Sequence, residues 1–264
     1  MNPNGRPNAK QPEDSSPEEP RNRSENLHLT HNYRSMAATY DAKRYDGPIQ
    51  EFRLAYALEI IERLVQPTPQ MKILDVATGT GKGALCLAPS GARIVGLDFT
   101  PAMLEILRDK ATTKKQEIRL VRGSAAALPF ADGEFDAVVN LNFMHLFPPV
   151  SRQRVFAQEL HRVLRPGGRL VVELINLYQG GIMGLYRKRF VEDLGFNAPS
   201  DISKLLEPEF KVNRIQGGHF PGAWRLLYPL SKISPGASQR LAQIARYRPW
   251  KYLTFNCFIQ ATRR

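Results

Sequence analysis

"ILDVATGTGKGA", Ile73 to Ala84, is an apolar run that ends on an acid and then spills into glycines at 79, 81 and 83. A run of this kind closing in Gly-Thr-Gly reads as a strand feeding a tight turn, since glycine reaches left-handed angles and lets a ligand approach the backbone. Two phosphate-type motifs compete for it. A P-loop needs Gly, four residues, then Gly-Lys-Ser/Thr, yet Gly81-Lys82 is followed by Gly83 and the earlier glycine is Val76. That motif fails twice. The dinucleotide fingerprint survives as Gly79-x-Gly81-x-x-Ala84, with Asp98 where a ribose-binding acid belongs. Taken alone, the turn admits a nicotinamide cofactor or another adenosine-bearing one.

Outward from the turn, strands and helices alternate. "GPIQEFRLAYALEIIERLV" places apolar residues at helical spacing, and Pro67 and Pro69 end it. Strands follow in "MKILDVA", "ARIVGLD", "EIRLVRG", "EFDAVVNLN" and "GGRLVVELINL", with helices in "KGALCLAPSG", "PAMLEILRDKA" and "RQRVFAQELHRVL". The strands are apolar on both faces, as a parallel sheet covered by helices on both sides requires. The fold class expected is α/β, a doubly wound, mostly parallel sheet. Such sheets bind ligands beyond the carboxyl ends of their strands, which puts Asp75, Asp98, Ser124 and Asn140 on one rim.

Composition sets the bounds. A chain of 264 residues, 42% hydrophobic and 23% charged, buries a full core as one domain with additions. Residues 1–30 are rich in Pro, Asn, Ser and Glu and are expected to be a disordered tail. The amino-terminal stretch lacks the apolar segment of a signal peptide, and no run of about eighteen apolar residues appears, so a soluble cytoplasmic protein is expected. Cys86 and Cys257 are too few for a disulfide framework or a cysteine zinc site, and no metal is expected. The formal charge of +12 sits mostly at the end, where residues 211–264 carry ten Lys or Arg and no Asp or Glu.

"LDVATGTGKGA", "ARIVGLDFTPAMLEILRDKA", "GSAAALPFADGEFDAVVNLNFMHLF" and "ELHRVLRPGGRLVV", in that order, resemble the class I S-adenosylmethionine-dependent methyltransferases, in particular the ubiquinone/menaquinone biosynthesis (type 11) branch. "MAATYDAKRYD", 36–46, is similar to the Tyr-Asp lead-in helix of that branch. The likeness covers roughly 33–176, with weaker echoes in "PSDISKLLEPEFKV" and "LTFNCFIQATR". It implies a seven-stranded sheet in one domain over 31–264. Within it, 33–69 would be a helical lid, 70–176 the cofactor-binding core, 177–206 and 219–251 helical insertions on the substrate side, and 252–264 the final strand.

The resemblance implies S-adenosylmethionine as cofactor and S-adenosylhomocysteine as product. Asp75 would attract the cofactor's ammonium, although Asp at such a turn also serves as a simple cap. Thr78, Gly79 and Gly81 would let the backbone approach the methionine part, and Asp98 would offer two acceptors to the ribose hydroxyls. Phe99 and Met103, read as four apart on a helix, would sandwich adenine, while Ser124 and the Ala125 N–H would meet its edge. Two departures stand out. Ser124 replaces the usual Asp, and Ala77 replaces a frequent glycine, which implies an ordinary backbone angle there. Asn140 completes the cofactor set.

Methyl transfer needs alignment more than a nucleophile, and a base only where the acceptor loses a proton. His145, after the fourth strand, is the candidate base; Tyr40, Tyr45, Asn142 and His219 are candidates for the acceptor side. The expected acceptor is small and hydrophobic or aromatic, methylated at carbon or oxygen. Basic and aromatic residues near the end suit peripheral contact with anionic lipid more than nucleic acid, since no RNA-binding module is appended. The competing readings are an RNA or protein methyltransferase, an NAD(P)-dependent oxidoreductase and a non-catalytic cofactor-binding protein.

Overall fold

Strand β1 (Lys72–Val76) runs through the middle of the molecule and is buried from Ile73 onward. Parallel neighbours flank it on both sides, β2 (Arg93–Asp98) and β4 (Phe135–Leu141). β3 (Ile118–Arg122) adds in parallel to β2, and β5 (Leu164–Ile175) adds in parallel to β4. β7 (Asn256–Arg263) then lies antiparallel between β5 and β6 (Phe210–Gly217), giving the order β3-β2-β1-β4-β5-β7-β6. The order reverses between β1 and β4, and the crevice at such a reversal is where ligands bind. The computed structural model describes residues 36–147, 150–175, 199–218, 224–234 and 256–264.

Helices cover both faces. Residues 36–45 form α1, followed by α2 (Pro48–Val65), α3 (Lys82–Leu87) with a 3-10 turn at Ala88–Ser90, α4 (Pro101–Thr113), α5 (Val150–Val163), α6 (Pro199–Leu206) and α7 (Trp224–Ile233). Neighbouring β1 residues face opposite ways, which is why the strand is apolar throughout. Leu74 and Val76 pack with Phe156, Ala157 and Leu160 of α5, whereas Ile73 joins Ile60, Ile61 and Leu64 of α2 and Leu107 of α4. Each fully buried aliphatic side chain contributes about 1.5–3 kcal/mol, so the sheet is clamped from both sides.

"LRPGG" opens the fifth strand: Leu164 pairs with Phe135, and Ala137 next pairs with Arg169, so Arg165–Gly168 loop out inside β5. Buried Leu164 holds the pairing, Pro166 has no N–H to give a ladder, and Gly167 takes φ 73°. Of the segments expected as insertions, 199–206 and 224–233 are helical, and α7 lies against α2 through an edge contact of Tyr228 with Phe52 at 6.3 Å. The rest of those insertions and the tail 1–30 lie outside the described residues. Among the described residues, no helix is long and apolar enough to cross a membrane.

Candidate active site

Asp75 ends β1 at the reversal and is 1% exposed. Its Oδ2 accepts from Thr78 Oγ1 and from the Ala84 N–H, both at 2.8 Å, while Oδ1 has no partner among the described residues. Burial pushes the carboxyl up to about 7; the two hydrogen bonds and the Lys82 cation hold it down, and the nearby Asp98 charge adds to the rise. A half-satisfied buried carboxylate facing a crevice is a site prepared for a cation donor.

The turn after β1 departs from expectation at Ala77. Its φ is 58°, in the left-handed region, although the methyl argues for an ordinary angle. The turn imposes this angle: the Thr78 N–H donates to Leu97 O of β2 at 2.9 Å, so the chain must fold over at the residue before it. Gly79 (φ 54°) has nothing within 4 Å of where a Cβ would stand, so its open side faces the cleft. Gly81 (φ 94°) differs. A Cβ there would come within 2.2 Å of Leu107, so this glycine serves the approach of α4 rather than of a ligand.

Asp98 ends β2, and both of its oxygens accept from the backbone. Oδ2 accepts from the Gly79 N–H at 2.8 Å and Oδ1 from the Thr100 N–H at 2.9 Å. Burial raises its pKa, and those bonds oppose the rise. The Thr100 hydroxyl and the Phe99 N–H also bear on this carboxylate, so ribose hydroxyls would share its acceptor positions with them. Phe99 and Met103 are not partners on one helix face, because Pro101 starts α4 only after Phe99. Phe99 is 48% exposed just past the end of β2, whereas Met103 is 2% exposed in the interior. Ser124 Oγ accepts from the Ala126 N–H at 3.2 Å, Ala125 is buried, and Asn140 Nδ2 donates to Val76 O at 2.9 Å while its buried Oδ1 has no partner among the described residues.

The lead-in helix closes the cleft. Tyr40 and Tyr45 of α1 line the same cavity as Asp75, Gly79, Lys82 and Asn142, and burial raises both phenols. Asp41 of α1 accepts from Thr80 Oγ1 at 2.7 Å and pairs with Lys110, whose ammonium also donates to Thr80 O at 3.0 Å. Across the cleft, Glu173 of β5 accepts from Lys82 and from Asn256, each at 2.6 Å, and from Asn142 at 2.9 Å. Asn142 takes a left-handed φ of 56°, which Asn tolerates.

His145 lies in a 3-10 turn, Met144–Leu146, braced where Gln153 Nε2 donates to Met144 O at 3.2 Å. It is 2% exposed, and burial together with the Arg44 cation pushes its pKa down to about 4. At neutral pH it is an uncharged ring. His219 lies outside the described residues.

Comparison with known proteins points the same way as this geometry. The family described as "Methyltransferase domain" matches residues 74–172. The demethylmenaquinone methyltransferase of Thermus thermophilus is 42% identical over 147 residues, covering 54% of this chain and 64% of that one. The demethylmenaquinone methyltransferase of Deinococcus radiodurans is 44% identical over 104 residues, covering 38% and 42%. Residues 74–172 form a methyltransferase domain, set in a sheet of the class I order. The chain spans less than two thirds of the length of either relative. The crystal structure of magnesium protoporphyrin IX methyltransferase from Synechocystis PCC 6803, with bound SAH, superposes with a TM-score of 0.64 at 14% identity, covering 90% of this chain and 100% of that one. At that identity the likeness is one of fold.

The residues of this methyltransferase domain fit such a cofactor: an unpartnered buried carboxylate oxygen for an ammonium, an open glycine, and a second carboxylate at the end of β2 for a ribose. Three contributors escape a reading of the turn, namely Asp41, Lys82 and Glu173. Asp41 stands inside the quoted Tyr-Asp segment, which signalled it; the Lys82–Glu173 pair joins residues 91 apart and has no local signature.

Proposed function

We propose that the chain is an S-adenosylmethionine-dependent methyltransferase acting on a small hydrophobic or aromatic acceptor, at carbon or oxygen, related to the demethylmenaquinone for which its Thermus relative is named. The observation that carries this reading is the orphan Oδ1 of Asp75 beside the open side of Gly79, within hydrogen-bonding connection of Asp98 through Gly79 itself.

When bound, the cofactor supplies an electrophilic methyl group on a sulfonium. Asp75 would hold its ammonium, Asp98 its ribose hydroxyls, and Phe99 an aromatic face for adenine. Tyr40 and Tyr45, brought over the cleft by the Asp41 latch, exclude water and confine the acceptor. Alignment of this kind supplies about 7–11 kcal/mol by making the encounter effectively unimolecular. His145, uncharged at neutral pH, would accept a hydrogen bond from an acceptor hydroxyl, and the proton that the acceptor loses on methylation passes to water. The acid-free stretch 211–264 supports contact with an anionic lipid surface, where a quinol would be met.

Methyl transfer from S-adenosylmethionine to a panel of quinols, phenols and RNA tests the reading. Turnover on a quinol such as demethylmenaquinol is expected; turnover confined to RNA, or on none of the panel, contradicts it.

A further inference from the structure

One buried ion pair stands in the cleft wall without a part in the scheme above. Lys82 follows directly on the glycine turn and lines the same cavity as Asp75 and Gly79. Its side chain is 12% exposed and that of Glu173 is 2% exposed. Three donors hold the carboxylate: Oε2 takes Lys82 Nζ and Asn142 Nδ2, and Oε1 takes Asn256 Nδ2. Its field reaches across the chamber to Tyr40, Tyr45 and His145. Burying two charges is costly, and hydrophobic residues of similar size often serve stability as well. A buried pair in this position therefore invites an explanation from the ligand's charge.

The cofactor proposed above is cationic at sulfur, and its demethylated product is a neutral thioether. A bare lysine in the cleft wall would repel the first and ignore the second. We propose that Glu173, by neutralising Lys82, sets the preference of the cleft for the sulfonium form over the thioether product, so that this ion pair governs donor binding against product inhibition. The inference rests on the methyltransferase reading and adds a residue that selects the charge state of the ligand. The two asparagines matter because they hold the carboxylate in place whether or not Lys82 is charged.

The test is the ratio of dissociation constants, S-adenosylmethionine over S-adenosylhomocysteine, measured by calorimetry on the full chain. Glu173→Gln leaves Lys82 uncompensated and raises this ratio by about tenfold, the size of one unit-charge interaction across partly screened protein. Lys82→Met leaves the carboxylate uncompensated and lowers the ratio by a similar factor. The double variant, carrying neither charge, returns to within about twofold of the parent. A purely structural role moves both affinities together and leaves the ratio fixed in every variant, which overturns the proposal. If Glu173→Gln does not fold, Lys82→Met decides alone: a lowered ratio supports the proposal and an unchanged one overturns it. A parent protein that binds neither compound removes the methyltransferase reading and this inference with it, whereas a parent that binds both with variants of unchanged ratio removes only the inference.

Discussion

Asp41 of the lead-in helix accepts a hydrogen bond from Thr80 of the glycine turn at 2.7 Å, so the element that covers the cleft is fastened to the loop that forms its floor. Asp41→Ala removes this bond and the pairing with Lys110. Dissociation of S-adenosylhomocysteine should quicken by about three- to tenfold, in line with the loss of one hydrogen bond of about 1 kcal/mol. Stopped-flow release measures it, and hydrogen exchange should show lower protection over 36–45. An unchanged release rate removes the latch.

Asp98 carries a double load under the proposed reading, since it fixes Gly79 and Thr100 and would also accept from the ribose. Asp98→Asn keeps an acceptor for the backbone but loses the charge and one acceptor. Hydrogen bonds to charged groups contribute about 1.5–3 kcal/mol each, so affinity for S-adenosylhomocysteine should fall by about a hundredfold while the fold persists. Near-parental affinity, read by calorimetry, refutes the ribose assignment.

Asp75 and His145 pull the pH profile in opposite directions. The Asp75 pKa is raised from 3.8 to about 7, so its contribution to stability is whole below pH 3.8 and is lost as pH rises towards 7. The His145 pKa is lowered from 6.5 to about 4, so its contribution is whole above pH 6.5 and is lost as pH falls towards 4. Each is of the order of 3–4 kcal/mol by linkage, and between pH 4 and 6.5 they offset. Asp75→Asn should unmask the histidine: urea unfolding then shows stability climbing with pH across that window. A flat profile in the variant contradicts the pairing of signs.

The same carboxyl makes cofactor binding release a proton. Below pH 7 the free protein holds Asp75 protonated, and an ammonium partner requires it ionised. Affinity should therefore rise by up to about tenfold per pH unit below 7 and level off above it. Titration in buffers of different ionisation heat detects the proton, and Asp75→Asn should abolish the dependence. No buffer dependence in the parent would place the ammonium elsewhere.

The strained turn gives a stability test. Ala77 sits at φ 58°, where a left-handed angle costs a residue with a Cβ roughly 1–2 kcal/mol, against roughly 0.5–1 kcal/mol lost through the flexibility of glycine. Ala77→Gly should raise Tm by a few degrees, and Ala77→Val should lower it by more. A fall in Tm with glycine shows that the turn carries no strain at this residue.

Much of this was legible in the chain. Strands alternating with amphipathic helices gave the doubly wound sheet, because a parallel strand must be apolar on both faces, and Asp75 and Asp98 stood out by closing two such strands. What escaped depends on distance or on conformation. The Lys82–Glu173 pair forms only when β5 lands beside β4, and Met103 was withdrawn from the rim by the helix start at Pro101. The φ of Ala77 was misread because the residue type favours an ordinary angle, while the bond from Thr78 to β2 dictates another.

The central claim is that the cleft between Asp75 and Asp98 binds a sulfur-bearing adenosine cofactor. Calorimetric titration of the full chain with S-adenosylhomocysteine tests it most directly: saturable one-site binding is expected, weakened in Asp98→Asn, with no response to NADH. Binding of NADH in place of S-adenosylhomocysteine, or binding of neither, would contradict it.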